Sequence, residues 1–322
     1  MYGMIPSIFY ETTDFIAEDE FQIDFPADYY DPSTIDAPLD NYAPIEYGMD
    51  ISQFVLPRTH LMKFGFPTKV FDQVHVAPNE YQKDMKLYYP KGDRARVCTQ
   101  CHFTFFVEPN GFQKLSQTPV CEDSEGQSYH YHIHVQEPEE NLEKFEEAPE
   151  EDQWNCDASN KIYAIDVEQV YTGYGQAVGR VTVVDCNGEP VLDTIVRPKD
   201  VIYDFVTKYS GLTPEHMEYA TDTLETAREK IFQLINRQSI LVGHGLNGDL
   251  KALGILHSKC IDTSILFMKN GRRPSLRSLV STHLGYVIQA SSEGHCSQED
   301  AQASLDLVYF AAANPYEVTF LI

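Results

Sequence analysis

The chain has 322 residues, 43% of them hydrophobic, which is enough for one or two domains with buried cores. Its formal net charge of −25 at pH 7 excludes a basic protein that binds nucleic acid through overall charge. We expect a soluble intracellular protein, because no apolar run approaches the roughly 20 residues of a membrane span and the acidic start is unlike a signal peptide.

Two acidic segments carry most of this charge. Residues 1–57 contain 12 acidic and no basic residues, and residues 136–157 contain 10 acidic residues and one basic residue. The rest of the chain is therefore much closer to neutral, and its charge does not exclude a nucleic-acid substrate.

The first part, residues 1–53, mixes acidic residues with Tyr, Phe and Pro and shows no sustained helical or strand period. We predict that it is disordered, either as a solvated spacer or as a segment that docks on a protein partner. Residues 54–135 contain short aromatic stretches typical of a small module of strands and turns. Residues 136–157 are predicted to be a solvated acidic linker, because like charges repel.

The small module contains cysteines and histidines with the ligand types of a tetrahedral zinc site. The spacing of Cys98 and Cys101 is typical of metal ligands, and Cys121 and His132 complete the predicted Zn²⁺ set. The spacing after Cys101 is irregular, so free thiols in a small core are the alternative.

The last part, residues 158–322, alternates strand and helix patterns. An apolar run at 161–166 is followed by an antiparallel meander at 180–196, a helical stripe within 223–236 and a strand at 239–243. The pattern predicts an α/β domain in which helices flank a mixed sheet.

Three motifs in this part carry acidic residues. Asp166 and Glu168 lie two positions apart at the end of the first strand, so their side chains share one side of the sheet. Asp249 follows a Gly-rich turn, and His295 and Asp300 lie five positions apart at a helix start. Taken singly, these motifs also suit a solvated strand end, a helix cap and a capping box.

The order and spacing of the three motifs resemble the DEDDh exonucleases, the superfamily of RNase T and of proofreading subunits. Within it, the chain is most similar to the Rex-type RNA exonucleases, because it also contains the phrases at 163–172, 209–213, 261–264 and 274–279. The resemblance covers about 160–313. It implies an RNase H-like fold and a 3′→5′ exoribonuclease that releases nucleoside 5′-monophosphates in RNA 3′-end processing.

The resemblance also implies a role for each motif residue. Asp166 would bridge two Mg²⁺ or Mn²⁺ ions, with Glu168 and Asp300 on the nucleophile-side ion and Asp249 holding the other through water. His295 would take the proton from the attacking water, a role that suits its ordinary pKa near 6.5. Four carboxylates supply the hard oxygen ligands that Mg²⁺ prefers.

The substrate implied is the 3′ end of single-stranded RNA in the nucleus, with DNA as the second choice. The predicted nucleic-acid contacts are Val167, Gln169, Leu246, Arg273 and Arg277. The two arginines belong to a basic stretch that either holds backbone phosphates or is a solvated loop. A DNA or oligonucleotide exonuclease and a catalytically inactive RNA-binding scaffold remain the alternative functions.

Overall fold

A computed structural model of the chain describes residues 47–70, 73–76, 95–97, 104–106, 121–122, 128–129, 145–151, 161–172, 175–290 and 294–318. The predicted disorder of residues 1–46 lies outside these ranges, as do most of the small module and residues 152–157 of the predicted linker.

The N-terminal part forms short elements. After a 3-10 turn at Ser52–Phe54, its described residues form one helix, three antiparallel strand pairs and a two-residue strand: α1 (Arg58–Lys63), β1 (Thr68–Val70) with β2 (Gln73–His75), β3 (Ala95–Val97) with β4 (Thr104–Phe106), β5 (Cys121–Glu122) with β6 (Ser128–Tyr129), and β7 (Glu146–Glu147). The strand pairs agree with the predicted module of strands and turns, whereas α1 was not predicted.

The C-terminal part contains the remaining strands, β8 (Ile162–Thr172), β9 (Gly175–Val184), β10 (Pro190–Ile195), β11 (Ile202–Asp204), β12 (Ile240–Gly243), β13 (Ile255–Leu256) and β14 (Cys260–Asp262). Its helices are α2 (Thr207–Ser210), α3 (Pro214–Tyr219), α4 (Leu224–Leu234), α5 (Leu246–Leu253), α6 (Thr263–Leu266), α7 (Leu276–Leu279) and α8 (Ser297–Ala313). A π-helical turn, Val280–Leu284, continues α7, and a 3-10 turn, Pro315–Glu317, follows α8.

Six strands form one mixed sheet in the order β10-β9-β8-β12-β14, and β11 pairs with β8. The β8, β9 and β10 strands are antiparallel neighbours, as the predicted meander requires. The β12 strand pairs in parallel with both β8 and β14. The predicted mixed sheet is therefore confirmed.

Helices cover both faces of this sheet. Ala164 of β8 and Val242 of β12 pack in one buried cluster with the apolar residues of α8. Their neighbours Tyr163, Ile165 and Leu241 pack in a second cluster with α4 and α5. Successive strand residues point to opposite faces, and each fully buried Leu or Ile contributes roughly 1.5–3 kcal/mol. These two cores fix the positions of the strands that carry the acidic motifs.

The β8 strand is longer than predicted. The expected strand ended at Asp166, but pairing with β9 continues to Thr172 through a bulge between Glu168 and Gln169. The alternation of buried residues continues past the acidic pair, with Val170 and Thr172 buried. Parallel pairing with β12, however, stops at Ala164. Asp166 and Glu168 therefore lie within a strand but beyond the end of its parallel neighbour.

Part of the N-terminal sequence packs on this domain. Ile51 and Phe54 join the cluster with α8, while Leu61 and Phe66 join the cluster with α4 and α5. The Tyr47 hydroxyl donates to Asp306 at 2.8 Å. Residues 47–53, which were predicted to be disordered, thus contribute apolar side chains to the domain core. The division of the chain into four parts stays a prediction.

The described end of the acidic linker is also packed. The β7 strand pairs in parallel with β13, and Ala148 is fully buried. Glu147 forms an ion pair with Arg237 at 2.8 Å, and Glu146 pairs with Arg228. Basic residues of the domain therefore offset the like-charge repulsion that was expected to keep this segment solvated.

No helix in the described ranges is both long and apolar enough to span a bilayer.

Candidate active site

Asp166 and Glu168 occupy the middle of β8, beyond Ala164, where pairing with β12 stops. The loop that follows β12 begins beside this part of β8. Glu168 is buried and Asp166 is partly buried. Alternate residues of a strand share one face, so the two carboxylates extend from the same side of the sheet.

Asp249 lies in the first turn of α5 and is buried. The loop before α5 is fixed to the end of β14, because the Gly245 N–H donates to Asp262 Oδ1 at 3.0 Å and His244 Nδ1 lies 2.9 Å from Thr263 Oγ1. Parallel strands end at the same edge of a sheet, so β12 and β14 bring these two loops together. This bonding aims α5 and its carboxylate at β8.

Asp300 lies in the first turn of α8, and His295 lies two residues before this helix begins. Ser297 Oγ lies 2.6 Å from Thr182 Oγ1 of β9, which attaches the start of the helix to the sheet. Gly294 precedes the histidine with φ +109°, and a Cβ there would collide with the Thr207 carbonyl and the Gly211 backbone. Only glycine fits this approach, which holds the histidine segment against α2.

The side chains of the three motifs meet. Ligand atoms of Glu168, His295 and Asp300 all lie within 4.8 Å of one another. Burial, followed by the nearby carboxylates of Asp249, Glu168 and Asp300, raises the pKa of Asp166 well above its usual value. Burial and the charges of Asp262 and Glu168 likewise raise the pKa of Asp249. The carboxylates are thus close enough to disfavour one another's ionisation.

The other two carboxyl groups are shifted in the same direction. Burial and Asp300 raise the pKa of Glu168 to about 7, although Arg180 opposes the shift. Burial raises the pKa of Asp300 to about 6 despite a hydrogen bond from Gln289. Arg180 does not neutralise the group, because its guanidinium forms a bidentate pair with Asp193 at 2.8 and 2.6 Å.

His295 is partly exposed. Its Nδ1 lies 3.7 Å from Asp300 Oδ2, and its backbone N–H donates to the Tyr209 carbonyl at 2.9 Å. The Tyr209 ring meets the imidazole edge-on at 5.8 Å between centroids. Burial and then Arg277 lower the pKa of His295, which favours the neutral imidazole that a general base requires.

The predicted nucleic-acid contacts fall into two groups. Leu246 is fully buried and Val167 is nearly so, and both belong to the core cluster with α4 and α5. Gln169 is partly exposed, and Arg273 and Arg277 are exposed. Leu246 therefore offers no surface to a nucleotide in this structure, whereas both arginines do. All five contacts stay predictions.

Of the predicted zinc ligands, Cys98, Cys101 and His132 lie outside the described residues, and Cys121 is described only as part of β5. The zinc site stays a prediction.

Two residues of the site were not identified from sequence. Gln289 donates from Nε2 to Asp300 Oδ2 at 2.9 Å, and its backbone N–H donates to Glu299 at the same distance. Asp262 holds the loop before α5 and lies near Asp249. The strand-end position of Asp262 was a usable signal, but nothing local distinguishes Gln289.

The four carboxylates fit a hard divalent cation. Among the described residues, no Lys or Arg forms an ion pair with them, and Asp300 Oδ1 is buried without a hydrogen-bond partner. Buried carboxylates without counter-ions are costly, and oxygen-ligated Mg²⁺ or Mn²⁺ would remove that cost. Glu168 and Asp300, with Asp166 and Asp249 beside them, are the residues that would hold it.

Comparison with known proteins gives relatives of one kind. The chain is 31% identical over 300 residues to the putative RNA exonuclease pqe-1 of Caenorhabditis elegans, covering 83% of this chain and 18% of that protein. It is 39% identical over 179 residues to RNA exonuclease 1 homolog of Homo sapiens, covering 54% and 15%. The chain thus spans under a quarter of these proteins. At 300 residues, the alignment with pqe-1 is longer than residues 158–322, so it extends into the N-terminal half of this chain.

Among solved structures, the Pan2 catalytic unit of Neurospora crassa, a protease and nuclease domain, matches with a TM-score of 0.46. The sequences are 30% identical, and the match covers 52% of this chain and 30% of that chain.

The family match itself covers residues 172–308, which include Asp249, His295 and Asp300 and begin just after Asp166 and Glu168. The matching family is RNase_T, described as exonuclease, whose members use divalent metal ions. Residues 172–308 of the chain thus match the RNase_T family of exonucleases.

Proposed function

We propose that the chain is a metal-dependent 3′→5′ exoribonuclease with an RNase H-like catalytic domain. One observation carries the proposal. Asp166 and Glu168 of β8 and Asp249 of α5 come from separate parts of the fold, and they meet Asp300 and His295 in a site where the carboxyl pKa values are raised. A group of acids without counter-ions is costly to fold, so its retention is best explained by bound cations.

Two Mg²⁺ ions bound here would neutralise the phosphodiester and supply an activated water. The four carboxylates would hold the ions, and the orphaned Oδ1 of Asp300 is a free ligand atom. The raised pKa values also mean that cation binding would displace protons from these groups.

His295 would accept the proton of the attacking water. Its lowered pKa keeps the imidazole neutral at pH 7, and its partial exposure leaves it open to substrate. The Tyr209 carbonyl and ring fix the backbone and the ring plane of the histidine. The chain's own residues thus position both a base and a cation site around one small volume.

RNA is the proposed substrate because the relatives named above are RNA exonucleases. Product release as nucleoside 5′-monophosphates, action on 3′ ends and nuclear residence come from the family resemblance. The acidic N-terminal segment is proposed as a docking site for a protein partner.

The test uses a 5′-labelled single-stranded RNA with a free 3′ hydroxyl, beside the same RNA blocked by a 3′ phosphate. We expect stepwise shortening of the free RNA, release of nucleoside 5′-monophosphates, loss of activity in EDTA and recovery with Mg²⁺. Asp166→Asn should be inactive. Internal cleavage, or full activity in EDTA, would contradict the proposal. Faster degradation of a matched DNA strand would replace the exoribonuclease with a DNA exonuclease.

A further inference from the structure

A tight hairpin beside the carboxylates displays basic residues. Lys269 and Arg272 exchange backbone hydrogen bonds of 3.1 and 2.9 Å. The two residues between them, Asn270 and Gly271, have φ values of +52° and +76°. An Asn-Gly pair with both φ values positive is typical of a type I′ turn, whose twist suits a short hairpin. Arg272 and Arg273 therefore leave this turn in a defined direction, and both are exposed.

Arg273 connects the hairpin to the first turn of α5, which carries Asp249. Its Nη1 donates to Asn247 Oδ1 at 3.3 Å, and Asn247 precedes Asp249 by two residues. The Arg273 guanidinium also lies 5.1 Å from the centroid of the Phe64 ring. Phe64 at the end of α1, outside the family match at 172–308, therefore lies near the first turn of α5, which carries Asp249.

The Phe64 ring faces a second cation. Lys63 Nζ lies 5.4 Å from the same ring centroid, and Lys63 is exposed. In the ranges that the structure describes, neither Lys63 nor Arg273 forms an ion pair with a carboxylate. Leu61 and Phe66, on either side, are buried in the domain core and hold this segment in place.

Two like charges on one ring repel each other, and exposed cation–π interactions are weak compensation for that repulsion. An anion bound within reach of both cations would offset this repulsion. A planar guanidinium matches phosphate oxygens, and an aromatic face beside it suits a nucleobase. The surface therefore has the chemistry of a binding site for a single-stranded polynucleotide.

We infer that Lys63 and Arg273 bind the phosphodiester backbone of the substrate strand upstream of its 3′-terminal nucleotide, and that the Phe64 ring contacts a nucleobase of the same segment. The inference rests on the proposed exonuclease function and deepens it. It gives the segment before the family match a role in substrate binding. The end of α1 would contact the RNA strand whose 3′ end reaches Asp249.

The test compares full-length wild type with Lys63→Glu and Arg273→Glu on two RNAs, a dinucleotide and a single strand of about 20 nucleotides, longer than one protein module usually binds. For each charge reversal we expect a rise of about tenfold in KM for the long RNA. For Lys63→Glu, which is remote from the predicted catalytic residues, we also expect unchanged kcat and an unchanged kcat/KM for the dinucleotide. The slope of log affinity against log salt should fall by about 0.7 for each phosphate that the variant no longer binds.

Lys161→Glu is the matched control, because Lys161 is exposed and precedes β8 at the opposite edge of the sheet from the carboxylates. Phe64→Leu keeps apolar volume but removes the ring face, and it should raise the long-RNA KM by about threefold. Equal losses on both RNAs, or a KM for Lys63→Glu equal to that of Lys161→Glu, would overturn the inference.

Binding of the long RNA, measured by fluorescence anisotropy in EDTA, separates this inference from the proposed function. Weaker binding by Lys63→Glu supports the surface whether or not the wild type cleaves RNA. Cleavage by wild type with unchanged binding in both reversal variants contradicts the surface alone.

Discussion

The pKa of Asp222 and the pKa values of the acids in the candidate active site shift in opposite directions. Asp222, before α4, accepts hydrogen bonds from Lys230 at 2.5 Å, from Thr226 at 3.0 Å and from Thr194, and these bonds lower its pKa. Burial and neighbouring carboxylates raise the pKa of Asp166 and Asp249. Asp222 has its counter-ion from the protein, so it stabilises the fold. In the part of the chain that the structure describes, Asp166 and Asp249 have no such counter-ion, which indicates that their partner is a bound cation.

The largest effect is expected when Asp249 is neutralised, and neutralising Asp222 in the same way tests the contrast between the two. Asp249→Asn should lower kcat by on the order of 10³-fold, because the removed charge is needed in the transition state. Its fold should remain intact, since the substitution removes a repulsive charge. Steady-state kinetics with Mg²⁺ give the loss, and Asp222→Asn, expected to keep kcat within about twofold, is the matched control. Full activity in Asp249→Asn would remove this residue from the site.

Gln289 tests whether the carboxylates need support from neutral groups. Gln289→Leu should lower activity by about 10–100-fold and raise the Mg²⁺ concentration for half-maximal rate, because Asp300 loses the amide that orients it. Gln289→Asn, which keeps a shorter amide, should recover part of the loss. A Mg²⁺ titration of the rate measures both, with Gln238→Leu as an exposed control. An unchanged Mg²⁺ requirement would argue against a positioning role.

Asp222 tests the structural half of the comparison. Asp222→Asn should lower the free energy of unfolding by about 1–3 kcal/mol, because Lys230 and Thr194 lose a charged partner. A domain of this size loses roughly 2–4 °C in Tm per kcal/mol. Because the pKa of Asp222 is lowered by folding, the contribution is present above its unfolded pKa near 4 and is lost as pH falls. Thermal unfolding at pH 7 that matches wild type would contradict this.

The smallest effect sharpens the comparison through pH. Folding raises the pKa of Glu168 to about 7 and that of Asp300 to about 6, so the native state binds more protons than the unfolded chain between about pH 4 and 7. Metal-free protein should therefore lose stability, on the order of 1 kcal/mol for each pH unit, as pH rises through this window. Mg²⁺ should restore Tm at pH 7.5 and change it little at pH 5.

Thermal unfolding in EDTA, with and without added Mg²⁺, checks this dependence. Glu168→Gln is isosteric and cannot ionise, so its Tm should fall less with rising pH. Equal pH profiles for Glu168→Gln and wild type would show that the raised pKa of Glu168 does not affect stability.

Much of the catalytic domain was predictable because its signals are local. The apolar run at 161–166, the meander at 180–196 and the stripe within 223–236 gave strands and a helix that the structure confirms. The resemblance in motif order and spacing led to Asp166, Glu168, Asp249, His295 and Asp300, and their assignment as site residues stays a prediction. Their catalytic roles stay proposals.

Other features depend on contacts between distant parts of the chain, and no local pattern reports them. The apolar residue Ile51 looks like part of a polar extension until the domain offers a core to bury it. Gln289, at φ +56°, becomes informative only when α8 brings Asp300 to its amide. The position of Phe64 beside Arg273 likewise required both segments to be folded.

The sequence by itself determined the alternation of the sheet, the course of the helices and the identity of the acidic motifs, because periodicity and residue type are properties of neighbours in the chain. Tertiary structure decided which acids share a site, which acid has a cation from the protein, and which way each pKa moves. Desolvation and Coulomb interactions depend on distances in the folded structure. The sequence alone therefore cannot show whether an aspartate pairs with a cation of the protein or is placed to bind a metal ion.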